Sequence, residues 1–151
     1  MMTRLVPPPV ALLTSLMLVY ALSRLWPVTT VDWPWLPWLA GVLLAVGLGL
    51  ILAAAWALWR SNTTINPIHP ERTRHLVIGG IYQISRNPIY LGDALLIAGA
   101  TCWLGQPVGL IVVALFVLFI DGFQIPAEER ALGRLFGERY TDYRRDTRRW
   151  L

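Results

Sequence analysis

The chain has 151 residues, of which 56% are hydrophobic and 15% charged, with a mean hydropathy of +0.53. That excludes a disordered chain, which needs low hydrophobicity and high net charge. It also excludes a disulfide scaffold, because Cys102 is the one cysteine, and it fits poorly with a soluble domain at the usual 45–50% apolar. Yet the net charge is +4 and all 13 basic residues are arginine, so the composition reads as a basic membrane protein of about one domain, 1–151.

Four apolar segments follow in chain order. The first covers about 10–26, the second 38–59, the third 89–104 and the fourth 108–125. A spanning helix needs roughly 20 residues, within about 17–25. The second segment meets this with no charge at all. The first and fourth meet it with a few flanking residues, and the third is short. Pro7, Pro8 and Pro9 open the chain's first apolar run, only Arg4 precedes it, and no small-residue cleavage site follows. It therefore reads as a retained helix and not as a signal peptide. Gly105, Gln106 and Pro107 alone separate the third and fourth segments, which predicts a tight helical hairpin.

Arginine placement sets the topology. The connection 60–88 carries Arg60, Arg72, Arg74 and Arg86, and the tail carries Arg130, Arg134, Arg139, Arg144, Arg145, Arg148 and Arg149. The connection 27–37 carries none, and Arg24 is the one basic residue near that side. The positive-inside rule then puts both termini and the connection 60–88 in the cytoplasm. Trp26, Trp33, Trp35, Trp38 and Trp103 mark the outer interface, and Trp56 and Trp59 the inner one. Any active site is expected at the cytoplasmic face, where nearly all chemistry-capable residues lie. Topology accounts for the arginines, so no nucleic-acid partner is expected.

The tail has its own period. Leu132, Leu135, Phe136, Tyr140, Tyr143 and Trp150 recur at spacings that share a helical face. This predicts one amphipathic cytoplasmic helix over 127–150, with Pro126 suited to its first turn and Glu128 and Glu129 to its positive end. Such a helix either lies on the inner leaflet with its arginines on lipid phosphates or packs as a lid over a site. The expected fold class is thus all-α integral membrane, with four transmembrane helices and this C-terminal helix.

Two carboxylates stand out. Asp93 falls about one turn into the third helix, and Asp121 about one turn before the end of the fourth, at similar depth. An acid inside the membrane marks a functional cavity by default. The plainer reading is a wetted Asp near the interface, or one paired with Arg86. His69 and His75 lie in a Pro-containing stretch with no cysteine cluster, so no metal site is expected. His69, beside Pro67 and Pro70, can instead line a pocket. Nucleophile elbows, phosphate loops and dinucleotide fingerprints are missing. Gly47 and Gly49 sit within a membrane helix, where such glycines usually serve close packing.

Gly80, Tyr82, Arg86, Asn87, Pro88, Tyr90 and Gly92 follow the spacing G-x-Y-x-x-x-R-N-P-x-Y-x-G. This resembles the signature of the isoprenylcysteine carboxyl methyltransferase and phospholipid methyltransferase superfamily. Glu128, Glu129 and Leu132 resemble its E-E-x-x-L. Phe136, Gly137, Tyr140 and Tyr143 are similar to its F-G-x-x-Y-x-x-Y, and Arg149-Trp150 to a closing R-W. Asn66-Pro67, following Thr63, is similar to a T-x-x-N-P stretch of bacterial relatives. The likeness runs from about Arg60 to the end.

The resemblance implies a membrane enzyme that uses S-adenosylmethionine bound at the cytoplasmic face. It implies cofactor contacts from Tyr82, Arg86, Asn87, Pro88, Tyr90, Glu128, Glu129 and His69, and catalytic roles for Arg149, Asn66 and Glu129. The implied acceptor is a lipid-like small molecule, with membrane lipids as surroundings and the oligomeric state open. Asn87 stands where the eukaryotic carboxyl methyltransferases carry His, which argues against a prenylcysteine substrate. Asp93, just after Gly92, also resembles the acidic residue of steroid-reductase-like NADPH enzymes, so a lipid-enone reductase stays open. A non-catalytic four-helix lipid-binding or partner-binding protein is the third reading.

Overall fold

A computed structural model of the chain describes residues 7–27, 30–61 and 75–151. Among these, all regular structure is helical. α1 spans Pro8–Leu25, α2 Leu36–Arg60 and α3 Pro88–Trp103. α4 spans Gly109–Phe119, α5 Ile125–Phe136 and α6 Glu138–Asp146. A 3-10 turn, Gly80–Gln83, precedes α3. The four apolar segments appear where expected, within two residues at most ends. α1, α2 and α3 each carry Pro in the first two positions, where its missing N–H has no helical partner anyway.

Among the described residues, three helical stretches are long and apolar enough to cross a membrane: Pro8–Leu25, Leu36–Arg60 and Gly109–Phe136. α3 is a shorter apolar helix of 16 residues.

The last stretch differs from expectation. α4 does not stop at 125 to let a new helix begin. It passes through a π-helical turn, Ile120–Gln124, straight into α5, giving one rod of 28 residues. Pro126 therefore lies near the junction inside this rod. A proline in a helix interior removes one bond and crowds the carbonyl four residues back, and the wider turn just upstream accommodates it.

The expected single helix over 127–150 is also corrected. Gly137 ends α5 with φ +55°, a conformation that side chains with a Cβ rarely take. A separate short helix, α6, follows and ends at Asp146. Tyr140 and Tyr143 consequently pack with Leu76, Tyr82, Leu132 and Phe136. Beyond Asp146 the chain is non-helical, and Trp150 packs against the main apolar core instead of the Tyr140 face.

α3 sits between neighbours. On one side its glycines meet α2 closely. A Cβ at Gly92 would lie 2.6 Å from the Gly47 carbonyl oxygen and from Ile51, and one at Gly99 would lie 2.8 Å from Leu44. On the other side Tyr90, Ala94 and Ile97 share a core with Val19 of α1 and with Val112, Phe116, Ile120 and Ile125 of the rod. The expected tight hairpin between α3 and α4 is present. There Gln106 is buried and its side-chain amide donates to the Leu22 and Trp26 carbonyls, both at 3.3 Å, tying that turn to the end of α1.

Candidate functional site

The polar end of the molecule forms where the entry to α3, the junction of the rod and the C-terminal tail converge. Pro88 is the first residue of α3 and biases Asn87 out of the helical region; Asn87 takes φ −131°, ψ 52°. Its side chain does not cap the helix. It donates instead to the Arg149 carbonyl at 2.9 Å, and its N–H donates to Ser85 Oγ at 3.1 Å. Ser85 Oγ in turn donates to the Arg149 carbonyl at 3.4 Å. The Arg86 N–H donates to the Arg148 carbonyl at 3.0 Å. The tail is thus stitched along the loop before α3 by main-chain carbonyls.

Side chains then close a charged network over this seam. Arg86 Nη2 donates to Glu129 Oε1 at 3.0 Å and Arg86 Nη1 to the Arg144 carbonyl at 2.9 Å. Arg149 Nη2 donates to Glu129 Oε2 at 2.8 Å and Arg149 Nη1 to Asp121 Oδ1 at 3.1 Å. The Trp150 indole N–H donates to the same Asp121 oxygen at 3.0 Å. Arg86 and Glu129 are each only 10% exposed, against 31% for Arg149 and 40% for Asp121. Burial works against the Arg149 charge, but its bonds to Glu129 and Asp121 outweigh this and hold its pKa above the ordinary value. The Nε of Arg86 is buried with no hydrogen-bond partner among the described residues.

Beside this network lies a second group. Tyr90 OH donates to Glu128 Oε1, and Gln124 Nε2 donates to the same oxygen at 3.2 Å. Tyr82 sits on the 3-10 turn, and its carbonyl accepts from Tyr143 OH at 2.6 Å. Its phenol is pushed well above the ordinary pKa, first by burial, then by Tyr143 and Glu128 nearby. Tyr140 is pushed up to about 12, first by burial and then by Glu129, against the opposing pull of Arg86, Arg144 and Arg149.

The structure therefore brings together Arg86, Asn87, Pro88, Tyr90, Glu128, Glu129 and Arg149 at one end of the bundle. Tyr82 belongs to the adjoining aromatic cluster. Asn66 and His69 lie outside the described residues. Asp93 and Asp121 do not act as a pair: Asp121 takes Arg149 and Trp150, whereas Asp93 is buried on α3. Nor does Asp93 pair with Arg86, whose carboxylate partner is Glu129. Of Gly47 and Gly49, only Gly47 makes a close contact, so its role is packing. Sequence reasoning missed Ser85 and Gln124. Gln124 was findable, since it stands four residues before Glu128 on a helical face. Ser85 bonds the Asn87 N–H locally, but its tie to the tail lies 64 residues away and carried no signal.

A bundle of apolar helices with one buried, charged end defines an integral membrane protein with a polar site at its edge. The model of the family described as Phospholipid methyltransferase matches residues 35–139. Among curated proteins, the chain is 36% identical over 84 residues to protein-S-isoprenylcysteine O-methyltransferase B of Arabidopsis thaliana, covering 56% of this chain and 43% of the relative. It is 30% identical over 131 residues to protein-S-isoprenylcysteine O-methyltransferase A of the same plant, covering 87% and 62%. It is 40% identical over 63 residues to an uncharacterized protein of Haemophilus influenzae, covering 42% of this chain and the whole of that protein. No solved structure matches. The chain belongs to the phospholipid methyltransferase family, within the wider group that includes the isoprenylcysteine methyltransferases. It spans about half the length of the plant relatives. The matched span holds Arg86 to Tyr90, Glu128 and Glu129, whereas Arg149 and Trp150 lie beyond it.

Proposed function

We propose that the chain is an S-adenosylmethionine-dependent methyltransferase acting on a lipid-like or hydrophobic small acceptor. One observation carries this reading beyond family membership: Arg86, Asn87, Tyr90, Glu128, Glu129 and Arg149 meet at a single buried polar end of an otherwise apolar bundle. In this reading α3 is a fourth membrane helix, both termini face the cytoplasm, and the polar end lies at that face. The arginine distribution supports the sidedness.

The donor set fits the cofactor. A buried guanidinium N–H without a partner, as at Arg86, is costly, and a ligand carboxylate satisfies it. Both protein bonds to Glu128 fall on Oε1, leaving Oε2 to accept from ribose hydroxyls or an ammonium group. When bound, S-adenosylmethionine supplies an electrophilic methyl carbon on a sulfonium. The chain's task is then to orient the two reactants in line and to exclude water. Glu128 and Arg86 hold and orient the polar donor. Glu129 fixes both guanidinium groups. Arg149, whose charge its two carboxylate partners secure, steadies negative charge on the donor or acceptor. Tyr82, kept a neutral phenol by burial, and Tyr90 offer ring faces to an aromatic or cationic group. The acceptor enters sideways from the bilayer while the polar donor comes from the cytoplasm.

Isothermal titration of purified protein in detergent with S-adenosylhomocysteine tests this. Saturable binding, weakened in Glu128→Ala and Arg86→Ala, is expected. Lack of binding by wild type, or preferential binding of NADPH in a parallel titration, overturns it. Incubation with labelled methyl donor and a membrane lipid extract then identifies the acceptor class.

A further inference from the structure

The π turn Ile120–Gln124 interrupts the rod at the level of the polar end. Such a turn holds one residue more than an α-helix would, so everything after it is rotated by about 100° relative to an unbroken helix. Both polar side chains that the turn carries are used. Gln124, 1% exposed, donates to Glu128. Asp121 accepts from Arg149 and from Trp150 through one oxygen. These bonds are side by side in sequence on the tail and converge on a single atom of the rod.

Glu129 alone does not define where Arg149 points. A guanidinium gripped at one nitrogen pivots about that bond, whereas one gripped at two nitrogens by two carboxylates is fixed in plane and direction. Glu129 supplies the first grip and Asp121 the second. Asp121 also pins the neighbouring indole, so the tail cannot swing about Arg149 as a hinge. The Asp121 side chain itself remains 40% exposed.

We propose that Asp121, placed by the π turn, is a positioning residue that acts through Arg149, holding the guanidinium and the C-terminal tail in the geometry the site uses. Its ligand readout rests on the methyltransferase reading; its geometry does not.

The test is a double-mutant cycle on the full chain with S-adenosylhomocysteine as probe. Loss of one charge-assisted bond corresponds to about a tenfold change in affinity. Asp121→Asn is therefore expected to weaken binding about tenfold, Asp121→Glu to recover most of it, and Asp121→Asn to add clearly less in an Arg149→Gln background, where only the Trp150 bond still reaches Asp121. Equal penalties in both backgrounds, or no penalty in either, overturn the proposal. A cofactor-free readout keeps the two readings apart. Hydrogen exchange at 147–151 is expected to accelerate in Asp121→Asn and to return towards wild type in Asp121→Glu. Unchanged exchange overturns the positioning role even if wild type binds the probe. Failure of wild type to bind the probe while exchange responds overturns the methyltransferase reading and leaves the tail-holding role supported.

Discussion

Along its middle, α3 meets α2 through glycines; at its N-terminal end it meets the tail and the rod through charged side chains. In the first region the close contacts are to backbone and apolar side chains. Lipid tails are as apolar as leucine, so helices in a bilayer gain little from hydrophobicity and must gain from close approach. Gly47, Gly92 and Gly99 permit that approach, since any Cβ there would collide with the facing helix. In the second region contact is directional. Glu129 faces two guanidinium groups at 3.0 and 2.8 Å, and loss of its carboxylate takes one charged partner from each. The apolar interface thus fails by addition of atoms and the polar one by their removal.

Substitutions that invert those rules test the contrast most sharply. The largest effect is expected for Gly92→Leu, whose side chain has no room between the Gly47 carbonyl and Ile51. It should yield no monodisperse protein by size-exclusion chromatography in detergent; a normal peak would show that the α2–α3 contact is looser than described. Glu129→Ala comes next. Removing one partner of a buried ion pair costs on the order of 3 kcal/mol, and here it leaves Arg86 with only its bond to the Arg144 carbonyl and half-releases Arg149. A clear drop in thermal midpoint and loss of S-adenosylhomocysteine binding should appear together. Gly47→Ala should cost about 1–3 kcal/mol by overpacking against the Gly92 carbonyl, with Gly49→Ala, where nothing lies within 4 Å, unchanged. Equal melting of these two variants would break the distinction between them. The smallest effect is expected for Tyr143→Phe, which removes one neutral bond to the Tyr82 carbonyl. That is worth about 1 kcal/mol and should lower the thermal midpoint slightly without changing binding of the probe.

Much of this molecule was legible along the chain. Apolar runs and their prolines located four helices, and the R-N-P-x-Y and E-E spacings identified the residues that gather at the polar end. Less legible were their partners. Asp121 and Asp93 looked like a pair because they share a depth, yet depth does not set rotation about a helix axis. Asp121 turns to the tail and Asp93 to the interior. The tail looked like one helix because its apolar spacing fits one. Gly137 breaks that helix, and the same tyrosines serve a separate α6 equally well.

By itself the sequence determined what local chemistry controls: which stretches are oily enough for a bilayer, which connections carry arginine, where prolines start helices, and which family motifs are present. The tertiary structure alone decided that Glu129 binds Arg86 and Arg149, 43 and 20 residues away. It also decided that the π turn carries the rod past Pro126, and that Arg149 and Trp150 return to Asp121. Periodicity fixes which residues share a face within one element. Which faces meet depends on how helices rotate and close against one another, and that is settled only when the whole bundle packs.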